Sequence, residues 1–113
     1  MDKLDNYRNY IKNILQEYQN WAAASVNEEY ENSLIFDTEH DQYLWVYIGW
    51  QGKKRLKGTN IHLRIKNEKI WIEEDWTEEG IANELVKLGV PHQDIVLAFY
   101  PAQERKLTEF ASA

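Results

Sequence analysis

Apolar and polar side chains alternate through three successive segments of the stretch 43–75. Because consecutive side chains of a β-strand point to opposite faces, this period of two predicts three strands joined as a meander. We assign the aliphatic positions of these segments to one face of the sheet and expect helices to cover it. These positions are Leu44, Val46, Ile48, Ile61, Leu63, Ile65, Ile70 and Ile72.

The positions between them are too aromatic for a sheet face that meets only water. They carry Tyr43, Trp45, Tyr47, His62, Arg64 and Trp71. Since Tyr, Trp and Arg are enriched where proteins bind one another, we predict that this second face is a protein interface. Two other interpretations remain open, namely that a helix of the same chain covers the face, or that its rings stack on single-stranded nucleic acid.

Before the meander, apolar residues recur at spacings of three and four. This spacing predicts an amphipathic helix that begins after an Asp2 cap and ends near Ala24. The apolar stripe, which we expect to pack on the sheet, consists of Leu4, Tyr7, Ile11, Ile14, Leu15, Tyr18 and Trp21.

A second helix is predicted after the meander. Asp75 or Thr77 can cap its start, because both side chains accept hydrogen bonds from free backbone N–H groups. Gly89 suits the left-handed residue that follows a helix, and Val90 can contact the last turn as in a Schellman motif. Pro91 forbids any continuation, so the sequence predicts where this helix ends.

Two further segments predict strands that are apolar on both faces, Ser33–Asp37 before the meander and Ile95–Tyr100 after the second helix. We expect the first not to be an exposed edge, and the last to be buried inside the sheet or under a partner. A tight turn is predicted at 67–68. Whether the last strand lies beside the fourth strand or the first remains open.

These elements predict a single α+β domain over residues 1–113. The expected order is helix, four strands, helix, strand, with a mainly antiparallel five-strand sheet and the helices packed on it. In the tail, Leu107 and Phe110 are candidate anchors.

Composition narrows the function. The 113 residues fit one domain, and 13 basic against 19 acidic residues give a net charge of −6, which disfavours broad DNA affinity. The absence of cysteine excludes disulfides, thiolate zinc sites and cysteine nucleophiles, and it suits a reducing cytoplasm. No segment reaches the roughly 20 apolar residues of a membrane span, and no signal peptide is recognisable, so we expect an unprocessed cytoplasmic protein.

Neither a metal site nor a cofactor site is expected. The loop after the first strand holds Asp37, Glu39, His40 and Asp41. Asp is favoured in turns because its carboxylate accepts nearby backbone hydrogen bonds, so we interpret this loop as a turn rather than a set of metal ligands. The three histidines have no ligand spacing on one element, and the five glycines form no phosphate loop.

One arrangement is similar to a nuclease site. Asp94 with Glu104 and Lys106 matches the acid and Glu-x-Lys pattern of restriction-type nucleases, in which the acids hold a divalent metal and the lysine orients water. Such a site needs a rigid strand beneath it, and Pro101 interrupts the predicted strand. We therefore assign no catalytic residue and expect no enzyme activity.

A basic run stands out in this acidic chain. It consists of Lys53, Lys54, Arg55 and Lys57. So few cations without a positive field around them give weak phosphate contacts, and the run is typical of a cationic hairpin loop that discourages pairing of strand edges. The alternative function of the protein is nucleic-acid binding, in which this basic loop acts together with the aromatic sheet face.

Three C-terminal stretches carry a family resemblance, Thr77–Pro91 (TEEGIANELVKLGVP), Asp94–Pro101 (DIVLAFYP) and Thr108–Ala111 (TEFA). Together with the tyrosine-rich first helix and the strand meander, they make the chain similar to the cyanobacterial XisI family, the fdxN element excision controlling factors, over nearly its whole length. The family offers no established catalytic residues to carry over.

The resemblance implies an accessory role in a programmed DNA rearrangement. In that process a site-specific recombinase removes an element that interrupts a nitrogen-fixation gene during heterocyst differentiation, and this chain would be a controller of the reaction. The usual neighbour of the family is XisH, which resembles a restriction-type nuclease. We therefore expect a XisH-like partner, because an acidic protein with an aromatic face suits a more basic one.

We also expect a homo-oligomer. An isologous dimer needs only one adhesive surface, and apolar or aromatic strand faces supply such a surface. On this interpretation Trp45→Asp or Trp71→Asp would weaken self-association.

Overall fold

The computed structural model of the chain describes residues 2–24 and 30–113. Its elements are α1 (Lys3–Ala24), β1 (Tyr30–Asp37), β2 (Gln42–Gln51), β3 (Lys54–Lys66), β4 (Lys69–Asp75), α2 (Ile81–Lys87), a 3₁₀ turn (His92–Asp94), β5 (Ile95–Leu97) and α3 (Ala102–Arg105). The predicted α+β class and element order are confirmed. Most of the acidic segment that joins the first helix to the first strand lies outside the described residues.

The five strands form one sheet in the order β1-β2-β3-β4-β5. The first four pair antiparallel, and β5 pairs parallel to β4, so the sheet is mainly antiparallel as predicted. The last strand thus lies beside the fourth. It is shorter than predicted, because the chain turns after Leu97, where the Tyr100 N–H donates to the Leu97 carbonyl at 3.1 Å.

The expectation for β1 is wrong, because β1 is an edge strand. It pairs with β2 along its whole length, and in the described part of the chain its other side pairs with no strand. Ile35 and Phe36 are 48% and 38% exposed. Its apolar residues lie on both faces because Ile35 belongs to the exposed outer surface, whereas Leu34 packs at the margin of the core.

The strand β2 presents the opposite face from the one predicted. Tyr43 pairs with Leu63, and Trp45 pairs with Ile61. Directly paired residues of antiparallel strands share a face, so the two aromatic residues lie on the covered face of the sheet. The assignment of the aliphatic positions is therefore wrong for Leu44, Val46 and Ile48. It is correct for Ile61, Leu63, Ile65, Ile70 and Ile72, which belong to or pack against the core.

The reason is that a period of two fixes the alternation within each strand but not which set of positions faces inward relative to the next strand. The pairing partners shift between Trp45 and Val46, which leaves Asn60 without a direct partner on β2. A second shift after His62 leaves Glu73 as the extra residue of β4. Such bulges are not visible in the hydrophobic pattern.

The helices α1 and α2 cover the same face of the sheet. The side chains buried between them and the strands are Tyr7, Ile11, Ile14, Leu15, Tyr43, Trp45, Ile61, Leu63, Ile70, Ile72, Ile81, Leu85, Val90 and Ile95. The stripe of the first helix thus packs on the sheet as predicted, except that Trp21 is 69% exposed. No helix among the described residues has the length and apolar character needed to span a membrane.

The predicted start of α1 and the predicted end of α2 are confirmed, whereas α2 begins at Ile81 after Gly80, later than a cap at Asp75 or Thr77 predicts. The Asp2 carboxylate accepts the Asp5 N–H at 2.8 Å at the start of α1. At the end of α2, Gly89 has a φ of 104°, and the Val90 N–H donates to the Leu85 carbonyl at 3.0 Å, as in a Schellman motif. The Asp75 carboxylate accepts the Ile81 N–H at 2.8 Å at the start of the helix.

Two carboxylates join α1 to other parts of the fold. Arg8 donates two hydrogen bonds to Asp41 at 2.8 and 3.1 Å, which ties the helix to the β1–β2 turn and lowers the pKa of Asp41. Tyr7 and Lys3 both contact Asp94 in the 3₁₀ turn. Burial opposes ionisation of Asp94, but these hydrogen bonds outweigh it and lower its pKa.

The C-terminal segment covers part of the outer face. Ala111 bridges to Val96, and together with Trp71 they form a small second core. Of the two predicted anchors, Phe110 is half-buried and stacks on His92 at 5.2 Å, whereas Leu107 is 87% exposed. The prediction of Leu107 as an anchor is therefore wrong, since the turn after α3 points it into solvent.

The face assignment predicts different costs for two chemically identical substitutions. Leu63 is fully buried, so Leu63→Ala should lower the free energy of unfolding by about 2–5 kcal/mol through lost burial and a cavity. Leu44 is only half-buried on the outer face, so Leu44→Ala should cost less than half as much. Chemical denaturation of both variants measures this difference. Equal costs, or a larger cost for Leu44→Ala, would contradict the register.

The Arg8–Asp41 pair predicts a pH dependence of stability. Because the folded-state pKa of Asp41 lies below the ordinary aspartate value of about 3.9, its contribution is present above that value and is lost as pH falls through the folded pKa. Asp41→Asn should cost about 1.5–3 kcal/mol at neutral pH, and this cost should shrink as pH falls below about 3.9. Urea unfolding at neutral pH and through the acid range measures the gap, with exposed Glu39→Gln as the control. A gap that persists in acid would show that the charge is not its source.

Candidate functional site

The six residues predicted as an interface do not share one face. Tyr43 and Trp45 lie under α1, and Tyr47 continues the same face beyond the helix. His62, Arg64 and Trp71 lie on the opposite face of the sheet. The prediction of one aromatic face is therefore wrong, for the same reason of strand register. For Tyr43 and Trp45, coverage by a helix of the same chain is the alternative that applies.

Trp45 and Tyr43 are held by their own chain. Trp45 is 6% exposed, stacks on Tyr18 with ring centroids 5.8 Å apart, and donates its indole N–H to Asn32 at 3.1 Å. Tyr43 donates its hydroxyl to Asp41 at 2.9 Å. Burial, together with that carboxylate, raises the pKa of Tyr43 to about 12. Substitution of either residue would disturb folding before it affected any partner.

Tyr47 remains half-buried beyond the end of the helix. Its ring lies 6.1 Å from the ring of Tyr30 and rests directly on Gly58. A Cβ atom at position 58 would lie 2.5 Å from the Tyr47 hydroxyl oxygen, so glycine is required there for the ring to lie flat on β3.

The three residues on the outer face are occupied by neighbours. His62 Nε2 lies 2.8 Å from the Gln42 side-chain oxygen, and burial lowers the pKa of His62. Arg64 donates to Glu73 at 3.0 Å. Trp71 is buried, and its ring contacts the Lys66 ammonium at 5.0 Å and the Arg105 guanidinium at 5.6 Å. An interface role of these residues stays a prediction.

An apolar patch lies on the uncovered half of the outer face. This outer patch consists of Ile35, Leu44, Val46 and Ile48. Ile35 pairs directly with Leu44, and Ile35 and Ile48 are 48% and 40% exposed. Sequence reasoning missed this patch because it placed three of the four residues in the core.

A cleft opens on the other side of the sheet, between α1 and the loop before α2. Its volume is about 610 Å³. The lining residues are Glu17, Tyr18, Trp21, Trp45, Asn60, Trp76, Thr77, Glu78, Glu79 and Glu84. We call it the tryptophan cleft, because Trp21 and Trp76 are 69% and 75% exposed on its walls. Neither was predicted as a site residue, since Trp21 falls in the helical stripe and Trp76 in a loop without a motif.

Backbone hydrogen bonds hold the loop wall of the cleft. Asp75 accepts the N–H and the hydroxyl of Thr77 at 2.9 and 2.6 Å, and it also accepts the N–H of Ile81, the first residue of α2. The Trp76 N–H donates to the Asn60 carbonyl at 3.0 Å, and its indole N–H donates to Glu74 at 2.7 Å. The Trp76 ring is therefore displayed by a fixed loop.

The cleft is strongly acidic. Its carboxylates are Glu17, Glu78, Glu79 and Glu84, and among the described residues no Lys, Arg or His lines it. In the described part of the chain none of these four forms a salt bridge. Glu84 accepts the Tyr18 hydroxyl at 2.9 Å, and burial together with this carboxylate raises the pKa of Tyr18 to about 12. The cleft therefore offers negative charge beside two exposed aromatic rings.

The basic run forms the tip of the β2–β3 hairpin. This basic arm comprises Lys53, Lys54, Arg55 and Lys57, all of them exposed. The Arg55 guanidinium lies 4.8 Å from the centre of the Trp50 ring, which is itself exposed. Over the residues that the structure describes, no carboxylate forms a salt bridge with the arm.

The residues weighed as metal or nuclease sites have structural partners. Asp37 accepts the N–H groups of Glu39 and His40 at 3.1 Å each, as its interpretation as a turn residue predicts. Asp94 is held by Tyr7 and Lys3, and Glu104 lies exposed on α3 rather than on a strand. In the ranges 2–24 and 30–113 no group of three or more His, Cys, Asp or Glu side chains is arranged to hold a metal ion.

Comparison with known proteins identifies close relatives. The family model described as XisI protein matches residues 1–112. A XisI-like protein from Anabaena variabilis ATCC 29413 is 36% identical, with a TM-score of 0.90 over 97% of this chain and 99% of its own. The fdxN element excision controlling factor XisI from the same organism is 44% identical, with a TM-score of 0.88 over 99% of this chain and 100% of its own. A comparison with curated proteins found no match.

The geometry of the cleft predicts which tryptophans are structural. Trp76→Ala should change the free energy of unfolding by no more than about 0.5 kcal/mol, because the ring is exposed. Trp45→Ala should cost about 3–5 kcal/mol, because the ring is buried against Tyr18. Denaturation curves of the two variants provide the test. A large cost for Trp76→Ala would mean that its ring packs on the fold and is not displayed.

Proposed function

The chain belongs to the XisI family of excision controlling factors, and from this premise we propose that it is a non-catalytic accessory protein that acts by binding other proteins. Its partner in this proposal is a XisH-like, nuclease-related protein in the cytoplasm. The process is the programmed excision of a DNA element from a nitrogen-fixation gene during heterocyst differentiation.

The outer patch carries this proposal. Ile35 and Ile48 expose apolar surface on a sheet face that the C-terminal segment leaves uncovered. Contiguous exposed apolar surface on a folded domain is typical of a site that binds another protein. His62 and Arg64 lie on the same face and would supply the polar rim of the contact, since His62 pairs directly with Leu44.

The partners of the ionisable groups support a non-catalytic role. Asp41 pairs with Arg8, Asp94 with Tyr7, and Arg64 with Glu73. Each pair joins two elements of the fold, so its atoms are committed to hydrogen bonds within the protein. A general acid, base or nucleophile instead needs an accessible atom in a cleft beside a second reactive group.

Charge favours a basic partner over DNA. The net charge of −6 attracts a cationic protein surface and repels phosphates. Nucleic-acid binding remains the second candidate because the basic arm is exposed and Arg55 stacks on Trp50. The aromatic sheet face that this second candidate requires is not accessible as a whole, since Tyr43 and Trp45 are buried under α1.

Binding to a XisH-like protein should depend on the outer patch. We expect a co-expressed XisH-like protein to co-purify with the chain, and Ile35→Asp with Ile48→Asp to reduce recovery at least about tenfold by burying charge in the contact. The matched control is Leu88→Asp with Leu107→Asp, two apolar residues that are exposed elsewhere. Undiminished recovery with the patch variant would remove the patch from the proposal, and no recovery with the unchanged chain would contradict the proposed partner.

This chain should bind duplex DNA no better than an unrelated acidic protein does. A gel-shift titration at about 150 mM salt is decisive, because the few phosphate contacts of the basic arm are weak there. Tight, sequence-selective binding that Lys53→Gln and Lys54→Gln abolish would favour the second candidate instead.

A further inference from the structure

We propose that the basic arm of one copy of this chain occupies the tryptophan cleft of a second copy, and that two copies exchange two such contacts about a two-fold axis. The sequence predicts self-association through apolar or aromatic strand faces, and the proposal assigns it to the arm and the cleft instead. It does not rest on the XisH-like partner, because the cleft lies on the opposite face of the sheet from the outer patch, which the arm borders only where Lys57 pairs with Ile48.

The cleft has the form of a site for a protruding segment. Its volume of about 610 Å³ falls within the range of about 300–1,000 Å³ typical of ligand clefts. Trp21 stands on the helix wall and Trp76 on the loop wall, and both rings are largely exposed. Lysine and arginine side chains bind favourably to the faces of such rings, and the effect is strongest when water is excluded.

Charge selects the occupant. The cleft contributes four carboxylates and no cation, while the arm contributes four cations and, among the residues described, pairs with no carboxylate. The contact would therefore match the basic run of an acidic chain to the acidic surface beside its exposed tryptophans. Repulsion between two copies of charge −6 is screened beyond about 8 Å at physiological salt, so the local match decides.

The contact has to form between two molecules. Trp45 and Asn60 line the cleft, and the arm lies at the far end of the same two strands. Gln51 lies six positions after Trp45, which is about 20 Å along a strand. Because paired strands cannot fold back over such a distance, the arm cannot reach the cleft of its own chain.

A two-fold arrangement satisfies both contacts at once. If the arm of each copy reaches the cleft of the other, the axis passes midway between them, close to Tyr47 and Gly58. The Tyr47 ring lies flat on Gly58 there, and Tyr30 packs against it. Two equivalent contacts related by symmetry form together, so each raises the effective concentration of the other.

Charge reversal in the arm and in the cleft distinguishes this contact from a dimer contact formed by other surfaces. The arm variant is Lys53→Glu with Lys54→Glu, which leaves the stacked Arg55 and Trp50 intact. The cleft variant is Glu17→Lys with Glu78→Lys, one exposed residue from each wall. Lys87→Glu with Lys106→Glu is the control, because it changes net charge as the arm variant does at exposed positions elsewhere.

Sedimentation equilibrium at high micromolar concentration and about 150 mM salt gives the mass of each sample. We expect the unchanged chain and the control to have twice the mass of the 13.5 kDa monomer. Each reversal should weaken the dimer at least about tenfold, because like charges then face each other. An equimolar mixture of the arm and cleft variants should restore the dimer, since each arm then meets a cleft of opposite charge.

Trp76→Ala supplies a variant without a charge change, and it should also weaken the dimer at least about fivefold through the loss of the ring. Circular dichroism confirms that each variant is folded. An unchanged chain that is monomeric, a dimer that both reversals leave intact, or a mixture that fails to recover the dimer would each overturn the proposal. The proposal would also be overturned if the chain were a monomer and bound the XisH-like protein through the cleft, as shown by loss of that binding on the Glu17 and Glu78 reversals.

Discussion

The register of β2 on β3 decides what each side of this protein offers. Tyr43 opposite Leu63 and Trp45 opposite Ile61 place the aromatic positions of β2 beneath α1. The alternating pleat then turns Leu44, Val46 and Ile48 to the uncovered face. A slip of one residue would exchange these sets, and the outer patch would become core.

The same register positions the acidic cleft. Trp45 forms part of its floor and stacks on Tyr18, which in turn donates to Glu84 of α2. The Asn60 carbonyl accepts the Trp76 N–H, which extends the pairing of β3 with β4 beyond Asp75 and holds the loop before α2 beside the strands. Sheet register, cleft and displayed tryptophan are thus parts of one arrangement.

Local signals in the sequence predicted the helices and strands, whereas the sequence pattern did not predict how these elements pair and which sides face inward. The Asp2 cap, the Gly89 ending and the order of elements along the chain depend on neighbouring residues, and all were predicted. The inward set of β2 depends on a bulge and on pairing between residues more than ten positions apart, such as Trp45 and Ile61, which hydrophobic alternation does not encode. Trp21 shows the same limit, because its helical spacing matches the core stripe, yet its ring lies where the cleft opens.

The most direct test of this account is the reactivity of single cysteines, which is clean because the chain has none of its own. Thiol labelling of folded Leu44→Cys, Val46→Cys and Ile48→Cys at low concentration should proceed nearly as fast as for an exposed thiol. Leu63→Cys should react only through unfolding, because that position is fully buried. Protection of the thiols at positions 44 and 46 equal to that at position 63 would contradict the register on which the account depends.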